Sequence, residues 1–90
     1  MFSNEKIDMR IKYTREWTFE ALSKLLEHKN YYEINITEII EKAGISRATF
    51  YRNFKSKDDI VLLKVQMFFQ EFYQDLLDFY RKVGTLDEQY

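Results

Sequence analysis

Arg47, Arg52 and Asn53 stand within one seven-residue stretch, interleaved with Ala48, Thr49 and Tyr51 and followed closely by Lys55 and Lys57. These residue types suit contact with duplex DNA. An arginine fork bonds guanine O6 and N7 together, asparagine pairs with the adenine edge, and an alanine or threonine methyl fits a thymine methyl. Threonine and tyrosine hydroxyls and lysine ammonium groups suit phosphate oxygens. An ordinary solvated helix face would carry a similar mix, so the reading depends on the elements that hold these side chains.

Those elements are short helices. Asn35 is placed to cap a helix over 36–43, with Glu38 three positions on completing a capping box. Ile34 before the cap and Ile39 within the helix form a hydrophobic staple. Gly44 takes the positive φ that stops the helix. Ser46 then caps a second short helix over 47–53, with Phe50 and Phe54 as its inward anchors. Two short helices joined through Gly44-Ile45-Ser46 make a helix-turn-helix pattern, in which the second helix is presented rather than buried.

Longer helices flank this pair. The first is expected from Asp8 or Thr14 to His28, with Thr18, Ala21, Leu22, Leu25 and Leu26 on one face, Trp17 beside them, and Asn30 as a left-handed stop. A fourth opens at Ser56-Lys57-Asp58-Asp59, again as a capping box, and runs to about Lys82, ending at Gly84. With no proline, only two glycines and no alternating β-branched run, the fold class is all-α: a three-helix core plus a long fourth helix.

Charge agrees with a polyanionic partner in the first half only. Residues 1–57 hold 11 Lys/Arg against 8 Asp/Glu, and residues 58–90 hold 3 against 7. The surface for nucleic acid therefore belongs to the first half, and the second half faces away from it.

Other chemistry finds little support. His28 is the sole histidine and reads as a helix-end residue meeting the dipole. Asp58/Asp59 and Asp75/Asp78 have no nucleophile or phosphate loop beside them and read as caps or solvated side chains. There are no cysteines, so neither disulfides nor thiolate metal sites are expected. The expectation is no enzyme, no cofactor and no metal. The polar N-terminus lacks a signal peptide, and residues 60–83 are too interrupted by charge to span a membrane, which fits a cytoplasmic protein.

The stretch from Ile36 to Ile60 resembles the signature of TetR-type transcriptional regulators: the turn Gly44-Ile45-Ser46, then Thr49-Phe50-Tyr51, then Phe54, Lys55-Ser56-Lys57 and an acidic residue. Tyr31 occupies the family's aromatic position before the second helix, and the likeness covers roughly residues 12–65. The resemblance implies a homeodomain-like helix-turn-helix core over residues 1–57 that binds operator DNA. Arg47 and Ala48 would approach base edges, Thr49 and Tyr51 would bond phosphates, and Arg52 and Asn53 would reach either. Lys57 would clamp a phosphate and Thr37 would meet the other strand, with Ser46 and Lys55 completing the set. It also implies repression, a homodimer on a pseudo-palindromic operator, and a small-molecule effector acting only through a C-terminal domain absent from this chain, of which residues 58–90 are the start.

Two features stand apart from that pattern. Ile40 sits where the family usually has a small residue, which would widen the packing of the two short helices. The apolar excess over 60–83 also leaves open a helical protein-interaction module, with that helix as the binding surface.

Overall fold

The computed structural model describes residues 2–88, with side-chain environments described from Met9 to Gly84. Four helices follow in order, α1 Phe2–Leu26, α2 Ile36–Ala43, α3 Arg47–Asn53 and α4 Lys57–Glu88, with a 3-10 turn at Tyr31–Glu33 between the first two. No strand occurs among the described residues, as the all-α expectation requires.

α1 begins earlier than expected, at Phe2 rather than at Asp8 or Thr14. Nothing before Thr14 breaks a helix, since no proline or glycine occurs there. The far end is also different. The α-helix closes at Leu26, and Lys29 and His28 bond back to the Leu25 carbonyl at 3.0 and 3.1 Å. Asn30 does not enter the left-handed region. Its φ of −72° and ψ of 150° are extended, and it precedes the 3-10 turn instead. Leu26, expected on the core face, is exposed, because the helix rotates it past the edge of the packed stripe.

α2 is held at both ends by its own sequence. Glu38 N–H donates to the Asn35 side chain at 2.9 Å, and Glu38 Oε1 accepts from Asn35 N–H at 3.4 Å, which completes the capping box. Gly44 takes φ +73°, and its N–H bonds the Ile40 carbonyl at 3.0 Å. An L-residue in that conformation costs roughly 1–2 kcal/mol, so glycine is the residue that lets the chain turn immediately into α3. So short a helix draws its stability from tertiary contacts.

The core lies where α1, α2, α3 and the start of α4 meet. Phe50, Phe54, Ile34, Ile39 and Ile60 are all but inaccessible, joined by Phe19, Ala21, Leu22 and Ile40. The Phe50 and Phe54 rings lie 5.4 Å apart, and Phe19 meets Phe54 edge-on at 6.3 Å. Ile40 is accommodated inside this cluster at 8% exposure. Thr18 is fully buried, and its hydroxyl is satisfied by the Thr14 carbonyl at 2.7 Å, one helical turn back.

α4 has two parts. Its first turns join the core through Ile60, with Leu63 and Met67 packed against it. Lys64 also places its ammonium over the Phe19 ring at 5.0 Å. Further along, Phe68, Phe69, Phe72, Tyr73, Leu76, Phe79 and Tyr80 are all exposed. The helix does not end at Gly84 as expected but continues to Glu88. Glycine inside a helix costs only about 1 kcal/mol, and Gly84 does not take the positive φ that would end it. No helix among the described residues is long and apolar enough to cross a membrane.

Candidate nucleic-acid interface

α3 owes its orientation to two buried rings. Phe50 and Phe54 fix one face, so helical spacing turns Ala48 and Arg52 most directly outward. Arg47 and Tyr51 fall on the flank toward α2, and Thr49 and Asn53 on the flank toward α1. Arg47, Ala48, Tyr51 and Arg52 are exposed, whereas Thr49 and Asn53 are half-buried.

The N-terminus of α3 is tightly organised. The Ser46 hydroxyl accepts from Thr49 N–H at 3.1 Å and donates to the Thr49 hydroxyl at 2.8 Å. Ser46 is therefore first a helix cap, and it is exposed. Arg47 Nη2 donates to the Thr37 hydroxyl at 2.7 Å, which brings together a recognition-helix residue and the first turn of α2. Asn53 turns its amide nitrogen back onto the Thr49 carbonyl at 2.9 Å, leaving its side-chain oxygen as the freer group.

Lys57 sits apart from this row. Its ammonium bonds the Tyr31 carbonyl at 2.7 Å and the Ile34 carbonyl at 2.9 Å, and stands 4.1 Å from the centre of the Tyr31 ring. Two of its three N–H donors are thus committed within the fold, leaving one for any outside group. The Tyr31 hydroxyl in turn donates to the Asp58 carboxylate. Burial, then the bond to that anion, pushes the Tyr31 phenol up to about 12. Together these contacts latch the 3-10 turn to the start of α4.

The predicted capping box at that start is present in altered form. Asp59 N–H bonds the Ser56 hydroxyl at 3.2 Å, but the Asp59 carboxylate reaches the Lys55 N–H at 2.9 Å rather than that of Ser56. The Lys55 side chain remains exposed. Behind α2, the Lys29 ammonium at 2.5 Å from Glu38 holds that carboxyl below its ordinary range, with the bond from Asn35 adding to the effect.

Sequence reasoning missed one part of the surface. A cleft of about 670 Å³ runs between the first half of α1 and the turn into α3, with Arg10, Tyr13, Arg15 and Trp17 on one side and Ser46, Thr49, Arg52 and Asn53 on the other. Tyr13 and Trp17 stack at 6.0 Å. The signal was available as the four-residue spacing of Arg10, Thr14 and Thr18 and of Tyr13 and Trp17, which continues the α1 stripe upstream. A helix already formed at Arg10 is what carries these residues to the site.

Residues 19–63, half of the chain, match the family model described as bacterial regulatory proteins, tetR family. The chain belongs to the TetR family. This TetR segment runs from the second half of α1 through the helix-turn-helix into the first turns of α4 and contains every buried apolar residue of the core. Over 63 residues the TetR-family chain is 36% identical to a Bacillus subtilis (strain 168) protein named HTH-type transcriptional regulator YxbF, covering 69% of this chain and 17% of that one. Over 48 residues it is 42% identical to HTH-type transcriptional regulator YvkB of the same organism, covering 53% and 25%. The aligned segments thus span a quarter or less of these relatives' length. No solved structure matches the chain.

Proposed function

We propose that the chain is a sequence-specific DNA-binding module of a transcriptional regulator, non-enzymatic and cytoplasmic, with α3 entering the major groove of a pseudo-palindromic operator. The observation that carries this reading is the pairing of two buried rings, Phe50 and Phe54, with an outward row of Arg47, Ala48, Tyr51 and Arg52 on the same short helix. Membership of the TetR family and two relatives named as transcriptional regulators support it.

In this account Arg47 and Ala48 meet base edges, Thr49 and Tyr51 bond backbone phosphates, and Arg52 and Asn53 reach bases or phosphates. Thr37, Ser46, Lys55 and the remaining N–H of Lys57 add backbone contacts. Two copies on one operator place their α3 helices about 34–36 Å apart or a multiple of that. Repression follows from occlusion of the promoter. A small-molecule effector acts through a further helical domain, for which residues 58–90 are the connection and residues 1–57 the DNA-binding unit.

Salt-dependent duplex binding is the test. A protein that neutralises several phosphates loses affinity steeply as salt rises. The second reading, a helical interaction module, is favoured by the exposed aromatic residues of α4 beyond Met67. Apolar helix docking predicts affinity that is nearly flat with salt.

A further inference from the structure

The cleft between α1 and α3 has the composition of an anion site. Arg10, Arg15 and Arg52 all line it, and among the described residues no carboxylate does. Among the described residues none of these three guanidinium groups takes part in an ion pair. Arg15 Nε is buried with no hydrogen-bond partner, a donor withdrawn from water and left unanswered. A buried donor without a partner favours any acceptor that reaches it, and the described residues supply none to Arg15 Nε.

Position says which acceptor. The major groove is about 12 Å wide and a helix with its side chains about 10–12 Å across, so a helix lying in the groove has a sugar–phosphate backbone along each flank. The cleft runs along the α1-facing flank of α3, where Thr49 and Asn53 lie. A guanidinium fork matches phosphate oxygens in pairs, and Tyr13 and Trp17 offer one further donor each.

We infer that this cleft takes a backbone phosphate of the bound duplex, with Arg15 as its principal ligand and Arg10 and Arg52 completing the site. The first half of α1 is then a second DNA-contacting element beside the helix-turn-helix. The inference rests on the DNA-binding reading above. It adds residues that precede the family-matched segment, since Arg10 and Arg15 both lie before Phe19.

The test measures binding of the chain to a labelled mixed-sequence duplex across a salt series, alongside emission from Trp17, the sole tryptophan. Arg15→Gln and Arg10→Ala are compared with the unsubstituted chain. Arg10 is exposed, so that variant stays informative if Arg15→Gln perturbs folding, and circular dichroism reports helix content for both. The expected result is a dependence of log affinity on log salt that is shallower by up to about 0.9 in each variant, the larger change being in Arg15→Gln, with Trp17 emission changing in step with binding. Lys82→Ala, on the far part of α4, should leave the slope unchanged. Slopes that stay equal in both arginine variants, with Trp17 emission unmoved while the duplex still binds, would overturn the cleft and leave the helix-turn-helix reading standing. Absence of duplex binding by the unsubstituted chain would remove both.

Discussion

Arg47 Nη2 donates to the Thr37 hydroxyl at 2.7 Å, joining the first residue of α3 to the first turn of α2. One of five guanidinium donors is engaged, and it sets the direction in which the others point. Arg47→Ala is expected to relax preference at one base position, at a cost of about 1–3 kcal/mol. Thr37→Val keeps the charge but loosens its aim, so a smaller loss of about 0.5–1.5 kcal/mol is expected. Binding to matched and scrambled duplexes checks both. Equal losses of Arg47→Ala on the two duplexes would take Arg47 out of base reading.

Lys57 gives a different kind of prediction, because its ammonium is bonded inside the fold. Removing it in Lys57→Met leaves the Tyr31 and Ile34 carbonyls without their charged donor. A stability loss of about 1.5–3 kcal/mol is expected in urea unfolding. The salt slope of duplex binding should become shallower by no more than about one. A full change of slope with unaltered stability would mean that Lys57 spends its charge on DNA and not on the latch.

The Tyr31 phenol supplies a pH test. Its pKa in the fold is pushed up to about 12, above the ordinary value of 10, so the neutral, donating form is favoured by folding. The stabilisation is fully present below pH 10 and is lost as pH rises through about 12, because the unfolded chain releases the proton first. The stability difference between the native chain and Tyr31→Phe should therefore be constant up to about pH 10 and shrink above it. A difference that stays flat to pH 12 would break the Tyr31–Asp58 account.

Two asparagines that look alike in the sequence should behave differently. Asn35→Ala removes the side-chain cap of α2 and should cost about 0.5–2 kcal/mol. The Asn30 side chain makes no cap bond to the backbone of the 3-10 turn and meets the exposed Glu33 carboxylate at 3.4 Å, and the residue lies in extended backbone. Asn30→Ala should be near neutral in the same denaturant titration.

The helix-turn-helix was legible because its signals are local. Asn35, Glu38, Gly44 and Ser46 each act within four residues, and Phe50 and Phe54 declare the buried face of α3 by spacing alone. Signals that depend on the third dimension were harder to read. Lys57 looks like a surface cation until the 3-10 turn is folded back beneath it, 23 and 26 residues away in the chain. Asn30 and Gly84 carry the residue types of helix stops without the conformation, since a stop needs left-handed backbone that the neighbouring contacts did not impose. The cleft arginines went unnoticed for a similar reason. Their value depends on α1 being helical from Arg10 onward and on the turn at Gly44 lying across from them.

Selection from a randomised duplex library at near-physiological salt tests the central claim most directly. The account predicts an enriched pseudo-palindrome, with preference at one half-site position lost when the selection is repeated with Arg47→Ala. A library that emerges unenriched, from a folded chain whose retention of duplex does not change with salt, would contradict it.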